Sequence, residues 1–338
     1  TGIAGITESE WVYMKALADT YDQPGTFTAF KAYEWTSYFY GHRNVYFGPD
    51  EADPPIVHHN QDSDLGKDDE LAPAELGDAL GGVTDYIAIP HSTAWPTGDT
   101  NYHWGPDSDE HPHDHYGDPG LWPNQRLVEL YSTHGSSEHH DPEYAVDQGR
   151  PEAPTNDPIA KDIMGYNIRQ APENSGNFVQ DALRAGWRFG FIGSSDMHYL
   201  SHIDQAYTHG IAGVRAAELS REGIWQGLTT RRTWATTGVR IVLHFSAGPS
   251  AGERVPMGGE VSAGPTELRA RVFGTADIDF VQVIKFDGAD YHVAHELKPK
   301  GPDAELTWND EGSAGQFWYL KVRQADGAYA WASPIWVN

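Results

Sequence analysis

A chain of 338 residues is long enough for one large domain or a large and a small one, and aromatics at 12% supply ample core material. Its formal charge of −26 excludes the basic footprint that a nucleic-acid partner needs, and no apolar run approaches the roughly 18 residues of a membrane-spanning helix. The absence of cysteine excludes disulfides, thiolate metal sites and cysteine nucleophiles, so any metal must be held by Asp, Glu and the 17 histidines.

The strong acidity suits a periplasmic or extracellular protein. The chain opens without Met on Thr1-Gly-Ile-Ala-Gly, with neither a basic n-region nor an apolar h-region, and reads as a mature, cleaved or partial chain. Residues 7–19 predict a short helix with Trp11, Met14, Leu17 and Ala18 at apolar helical spacing. Pro24-Gly25 marks a turn, and residues 26–33 form a β-rich run that delivers Glu34 and Trp35. His42, Arg43 and Asn44 then lead into a second short strand at 45–47. Residues 48–82 are acidic and rich in Pro and Gly, a surface excursion around a small helix at 72–80. Residues 86–90 predict a buried strand ending at His91.

A polar connector over residues 92–124 is long enough to suggest function. Its aromatic residues and prolines would form a lid or pocket wall, or equally a packed Ω-like loop. Residues 127–131 read as the next strand and lead to His134 and Glu138. Residues 141–175 are irregular, and 177–186 predict a helix closed by Gly186. The apolar run at 189–192 is a buried strand that Gly193 breaks. Asp196 and His198 follow with one residue between them, and on an extended chain such residues point the same way. Residues 210–214 form another strand, and Ser220 is an N-cap for a helix running to Arg231 and Arg232, whose charges suit its C-terminal dipole.

Beyond about residue 243 the texture changes. Segments 268–272, 280–284, 316–322 and 331–337 alternate apolar and polar residues, with turn chemistry at Asp287-Gly288 and Asp326-Gly327. The expected organisation is therefore an α/β, barrel-like domain over 1–243 and a small antiparallel β-sandwich-like module over 244–338. That module reads as a structural buttress or as an accessory, carbohydrate-binding layer.

The ionisable residues fall where parallel barrels place their chemistry, at the C-terminal ends of strands. Glu34, His91, the loop of His134 and Glu138, and Asp196 with His198 all occupy such positions. Glu129 lies inside an apolar strand, where an unpaired carboxylate is costly to bury and metal coordination would relieve the cost. Carboxylates mixed with imidazoles suit Zn2+, Mn2+ or Fe2+ better than Ca2+. Taken singly, each has a plain structural reading: Asp196 as a helix cap, His198 as a loop histidine, His91 as a satisfied strand-end histidine. Their common placement is harder to explain that way. His58, His59, His111, His113, His115, His139 and His140 fall in polar loops, and His103 and His209 carry no pattern. Neither a glycine-rich phosphate loop nor a Gly-x-Ser-x-Gly elbow is present, which disfavours nucleotide binding and a serine hydrolase.

The segments Ala32-Tyr-Glu34-Trp-Thr, Gly41-His-Arg-Asn44, Pro90-His91-Ser92, Val128-Glu129-Leu-Tyr-Ser-Thr-His134-Gly-Ser-Ser-Glu138 and Gly193-Ser-Ser-Asp196-Met-His198 carry a family resemblance. In that order they resemble the polymerase and histidinol phosphatase (PHP) superfamily, and more closely a PHP-like branch catalogued as a domain of unknown function. Ser220-Arg-Glu-Gly-Ile-Trp225, Arg231-Arg-Thr-Trp-Ala-Thr-Thr-Gly238 and Ala332-Ser-Pro-Ile-Trp336 extend the likeness over nearly the whole chain. The resemblance implies a distorted (β/α)7 barrel holding up to three divalent metals and hydrolysing phosphoesters. It implies that Glu34 bridges two metals, with His91 on one of them together with Glu129 or a neighbour. Asp196 would belong to the bridged pair, His198 to a third metal, and His42 would stand beside the metals as ligand or leaving-group acid. The opening His-x-His and Asp-His motifs of that superfamily do not occur before Glu34. A missing N-terminal segment or a second polypeptide would then complete the site.

These readings converge on a metal-dependent phosphoesterase with two or three Zn2+, Mn2+ or Fe2+ ions. A metal-bridged hydroxide would attack phosphorus, His42 or His134 would protonate the leaving group, and Arg43 would clamp a phosphoryl oxygen. The expected partner is a small phosphoester-like molecule, with no nucleic acid and no membrane span. Two alternatives stand beside it. One is a metal-dependent hydrolase of a carboxylic ester, lactone, amide or sulfate ester, and the other is a non-catalytic binding or scaffold protein with a decayed metal site.

Overall fold

The computed structural model describes residues 6–37, 41–57, 73–94, 104, 124–132, 135–140, 176–196 and 210–338. Helix α1 (Glu8–Tyr21) starts at a reciprocal capping box, in which Thr7 Oγ1 accepts from the Glu10 amide at 3.3 Å and the Thr7 amide donates to the Glu10 carboxylate at 2.8 Å. Of its expected apolar stripe only Trp11 is buried. The Trp11 indole donates to Pro54 O at 2.8 Å and its ring packs against Tyr33 and Phe47, so one large side chain pins the helix.

Strands β1 (Ala32–Ser37), β2 (Gly41–Phe47) and β3 (Tyr86–Pro90) form an antiparallel sheet with β2 in the middle. Helix α2 (Pro73–Ala79) contributes Leu76 to the core beneath it. A second sheet holds β4 (Leu127–Ser132), the short β5 (Gly135–Ser136) and β6 (Gly190–Gly193), with β4 and β6 parallel. The Ala88 amide donates to Asn124 O at 3.1 Å, which sets β3 beside the start of β4. Helix α3 (Val179–Arg184) packs Val179, Ala182 and Leu183 under this sheet.

The remainder is a sandwich. Its smaller sheet contains β9 (Val242–Gly248), β10 (Val255–Pro256), β12 (Gly264–Phe273) and β15 (Asp303–Gly312). The larger contains β7 (Ile211–Val214), β8 (Thr233–Thr236), β11 (Glu260–Val261), β13 (Ile278–Phe286), β14 (Tyr291–Leu297), β16 (Phe317–Gln324) and β17 (Tyr329–Val337). Alternate residues of β12, Leu268, Ala270 and Val272, meet Val281, Val283 and Leu320 of the facing sheet. Helix α4 (Arg221–Thr229) lies before β8, with the Ser220 hydroxyl accepting from the Gly223 amide at 3.0 Å. It ends before Arg231, which adopts a left-handed φ of 58°, so the expected basic last turn is absent.

The opposite face of the larger sheet is also covered. Phe286, Phe317, Tyr319 and Trp331 pack on Val128, Leu130, Val179 and Phe191. Strand β17 is consequently buried along its entire length, contrary to the apolar–polar alternation expected for 331–337. A strand covered on both faces has no solvent side to keep polar. Its one hydroxyl in this stretch, Ser333, is satisfied internally: it accepts from the Phe191 amide at 2.8 Å and donates to Thr233 O at 2.6 Å.

The chain does not form the expected distorted (β/α)7 barrel. The described residues make four sheets, none closed, and four helices. The alternation of apolar strands and helical segments reports burial but not strand direction. Strand β2 runs antiparallel between β1 and β3, where a barrel needs parallel neighbours joined by crossovers. Strands β7 and β8 extend the larger sandwich sheet instead of closing a barrel. Among the described strands, only β4 with β6 and β11 with β17 pair in parallel. The expected boundary at 243/244 falls inside β9, and the larger sheet draws β7 and β8 from before it.

Candidate metal centre

The pleat of β1 and β2 decides which side chains can meet. Tyr33 and Trp35 point into the core under α1, so Glu34 and Thr36 point to the other face. Across the ladder Glu34 pairs with Asn44 and Thr36 with His42, which puts His42 on the face of Glu34. The Glu34 carboxylate receives His42 Nδ1 at 3.0 Å and the Thr36 hydroxyl at 3.2 Å, while His91 Nε2, at the end of β3, approaches the same oxygen to 3.6 Å. The two imidazoles meet edge to face with centroids 5.5 Å apart. One donor atom from each of Glu34, His42 and His91 lies within 4.8 Å of the others, the one such group of three or more possible metal donors among the described residues.

Burial opposes ionisation of Glu34, but hydrogen bonding to His42 and His91 and their charges hold its carboxyl far below the usual carboxylate range. His91 is 1% exposed. Burial disfavours its cation, yet its contact with Glu34 and the charges of Asp196 and Glu129 push it up to about 9. Its Nδ1 is buried with no hydrogen-bond partner among the described residues.

A second group of carboxylates stands beside this triad. Glu129, 2% exposed on β4, accepts from the Ser92 amide at Oε1 (3.2 Å) and from the Ser194 hydroxyl at Oε2. Asp196, after β6, accepts from the Ser92 hydroxyl at 2.9 Å. Ser92 and Asp196 both adopt left-handed backbone angles, φ 53° and 45°, unusual for non-glycine residues. Glu129 thus has hydrogen-bonding partners that offset its burial without a metal.

Arg43 lies on the face of β2 opposite His42. It is fully buried over the Trp35 ring, with Nε donating to Gln125 Oε1 at 3.2 Å and Nη1 to Gly41 O at 3.3 Å. Adjacent strand residues point to opposite faces, which separates Arg43 from His42. Arg43, expected as a phosphoryl clamp, thus stands on the face of β2 away from Glu34 and His42. His134 and His198 lie outside the described residues, as do His58, His59, His103, His111, His113, His115 and His209. Most of the 92–124 connector lies outside them too, but Trp104 is buried against Trp187 and donates to Asn177 O at 3.0 Å. Glu138 faces away from the triad, into Tyr319, Lys321 and Trp331 of the sandwich. Sequence reasoning passed over Ser92, Ser194 and Thr36; small hydroxyl residues beside Glu34, His91 and Asp196 were the available signal.

Fold and site together define a β-rich protein whose open N-terminal sheets gather a histidine–carboxylate cluster from within β1, the start of β2 and the end of β3. The chain belongs to the family described as protein of unknown function DUF3604, which matches residues 3–205 and 199–267. It is similar to an uncharacterized protein of Chlamydia trachomatis serovar D, 30% identical over 240 residues that cover 63% of this chain and 34% of that one. An uncharacterized protein of Chlamydia pneumoniae is 30% identical over 236 residues, with the same coverage. The chain thus spans about a third of the length of the curated relatives it matches. The crystal structure of an engineered protein from the Northeast Structural Genomics Consortium aligns at 19% identity over 29% of this chain and 20% of its own, with a TM-score of 0.21, too slight a likeness to bear on the fold.

Proposed function

We propose that this protein is a metal-dependent hydrolase acting on phosphoesters, with Glu34, His42 and His91 as the centre of its metal site. The observation that carries the reading is the convergence of two imidazoles and a carboxylate, one donor atom each, within 4.8 Å. The donor set fits a divalent transition metal such as Zn2+, Mn2+ or Fe2+: it is two imidazoles and a carboxylate, nitrogen and oxygen only. Glu34 and the charges of Asp196 and Glu129 favour the His91 cation against its burial, so a metal would compete with a proton for this ring. A second or third ion would draw on Asp196, Glu129 and His198, and the resemblance to the PHP superfamily supports this larger set.

When bound, such metals lower the pKa of coordinated water and polarise a phosphoryl oxygen. The chain supplies the rest. Glu34 orients both imidazoles through one carboxylate oxygen. His42, 29% exposed, is the triad imidazole that reaches solvent; it would serve either as a ligand or, left off the metal, as the acid for the leaving group. His134 is a second candidate for that role. The same constellation serves carboxylic, lactone or sulfate esters and amides, and a decayed site would leave a binding protein.

The test is elemental analysis of the purified protein, then assay with p-nitrophenyl phosphate mono- and diesters and a panel of other esters, with and without Mn2+ or Zn2+. Metal-dependent phosphoester turnover that Glu34→Gln abolishes supports the proposal. Turnover confined to another ester class replaces the substrate, and less than one bound metal per chain overturns the metal site.

A further inference from the structure

We propose that Ser92 is a positioning residue that orders Asp196 and Glu129 for the metal site. The inference rests on the metal reading above and adds a residue to which no role in that site is yet attached. Ser92 follows His91 directly and sits between two carboxylates, Glu129 on β4 and Asp196 just after β6. Its amide donates to Glu129 Oε1 at 3.2 Å and its hydroxyl to Asp196 Oδ2 at 2.9 Å. Neither donor serves the turn's own backbone; both reach residues distant in sequence.

The backbone carries the second observation. Ser92 and Asp196 are two of the three non-glycine residues with positive φ among the described residues, and a hydrogen bond joins them. A left-handed conformation is unfavourable for a residue with a Cβ, and such residues persist where surrounding contacts over-determine them. Were only a tight turn needed after β3, glycine would provide it without strain. A serine there keeps a hydroxyl aimed at Asp196. Ser194 acts on the other side, donating to Glu129 Oε2, so that Glu129 is held at both oxygens. Hydroxyls that orient carboxylates in this way are the outer partners on which metal affinity depends.

Two substitutions separate the hydroxyl from the backbone. Ser92→Gly removes the hydroxyl and relieves the left-handed strain, whereas Ser92→Ala removes the hydroxyl and keeps the strain. Co2+ and Mn2+ affinities are measured by titration, and melting temperatures on the metal-free proteins. The expected result is that both variants bind Co2+ roughly ten- to a hundredfold more weakly than the parent. The metal-free Ser92→Gly protein should melt at or above the temperature of Ser92→Ala. Parental Co2+ affinity in Ser92→Gly overturns the inference while leaving the metal reading intact. A parent protein that takes up neither ion overturns the metal reading first, and this inference with it.

Discussion

Replacing Lys321 with methionine strands a charge at the contact between the sandwich and the β4–β6 sheet. Glu138 is 3% exposed and accepts from Tyr319 Oη at 2.8 Å, Lys321 Nζ at 2.6 Å and Trp331 Nε1 at 2.9 Å. Methionine keeps the length of the stem and removes the cation, so a desolvated carboxylate remains with two neutral donors. Breaking a buried pair from one side costs about 3–5 kcal/mol. Removing both charges, in Glu138→Gln with Lys321→Met, leaves no buried ion and should recover most of that loss. Urea unfolding of the four proteins gives the coupling as a shift in midpoint at constant slope. Acid supplies an independent check. Burial opposes ionisation of Glu138, but the charges of Lys321 and His139 and the hydrogen bonds from Lys321 and Tyr319 hold its carboxyl below the usual value. A carboxyl whose folded pKa is depressed stabilises the fold fully above its unfolded pKa, about 4.3 for Glu, and loses that contribution as pH falls toward the folded value. The deficit of Lys321→Met should therefore be largest near neutrality and shrink below about pH 5. A coupling under about 0.5 kcal/mol, or a deficit that does not change with pH, would refute the ion pair as the anchor.

Gly193→Ala should lower the melting temperature by an amount reflecting about 1–3 kcal/mol of overpacking. Its Cβ would lie 2.8 Å from Ile211 N and O and 2.9 Å from Thr236 O, backbone atoms that cannot rotate away, and an unchanged melt would contradict that packing. Saturating Co2+ at a hundredfold its dissociation constant should stabilise the parent by about 2.7 kcal/mol. Glu34→Gln should abolish that shift in a thermal melt, and a retained shift would place the ion elsewhere. Ser333→Ala leaves the buried Phe191 amide without its acceptor and should cost about 1–3 kcal/mol. Hydrogen exchange at Phe191 is the direct readout, and protection equal to the parent's would mean that another acceptor takes over.

Much of the local structure was legible in the residues. Thr7 with Glu10, and Ser220, set two helix starts through side chains within three positions of the amides they cap. Glu34 and His91 were legible as candidate metal donors, although Glu34 stands within β1 and not at the strand end expected of it. The strand period also carries the placement of Arg43, since its neighbour His42 faces Glu34 while Arg43 faces the core.

What the sequence determined by itself is the helix starts, the buried strands β3, β4 and β6 with part of the sandwich, and the donor chemistry available to a metal, because propensity, capping and pleat act between near neighbours. Strands β14 and β15 were not foreseen, and the strand expected at 26–33 lies at 32–37. The tertiary structure alone decided how those elements pair. It turned β2 antiparallel between β1 and β3, drew β7 and β8 into the sandwich and buried β17 on both faces. It also joined Ser92 to Asp196, 104 residues away, and Glu138 to Trp331, 193 residues away. Apolar patterning marks a strand as buried whichever neighbour buries it, so strand direction and partner were set only when the sheets closed on one another and each buried polar group found the group that satisfies it.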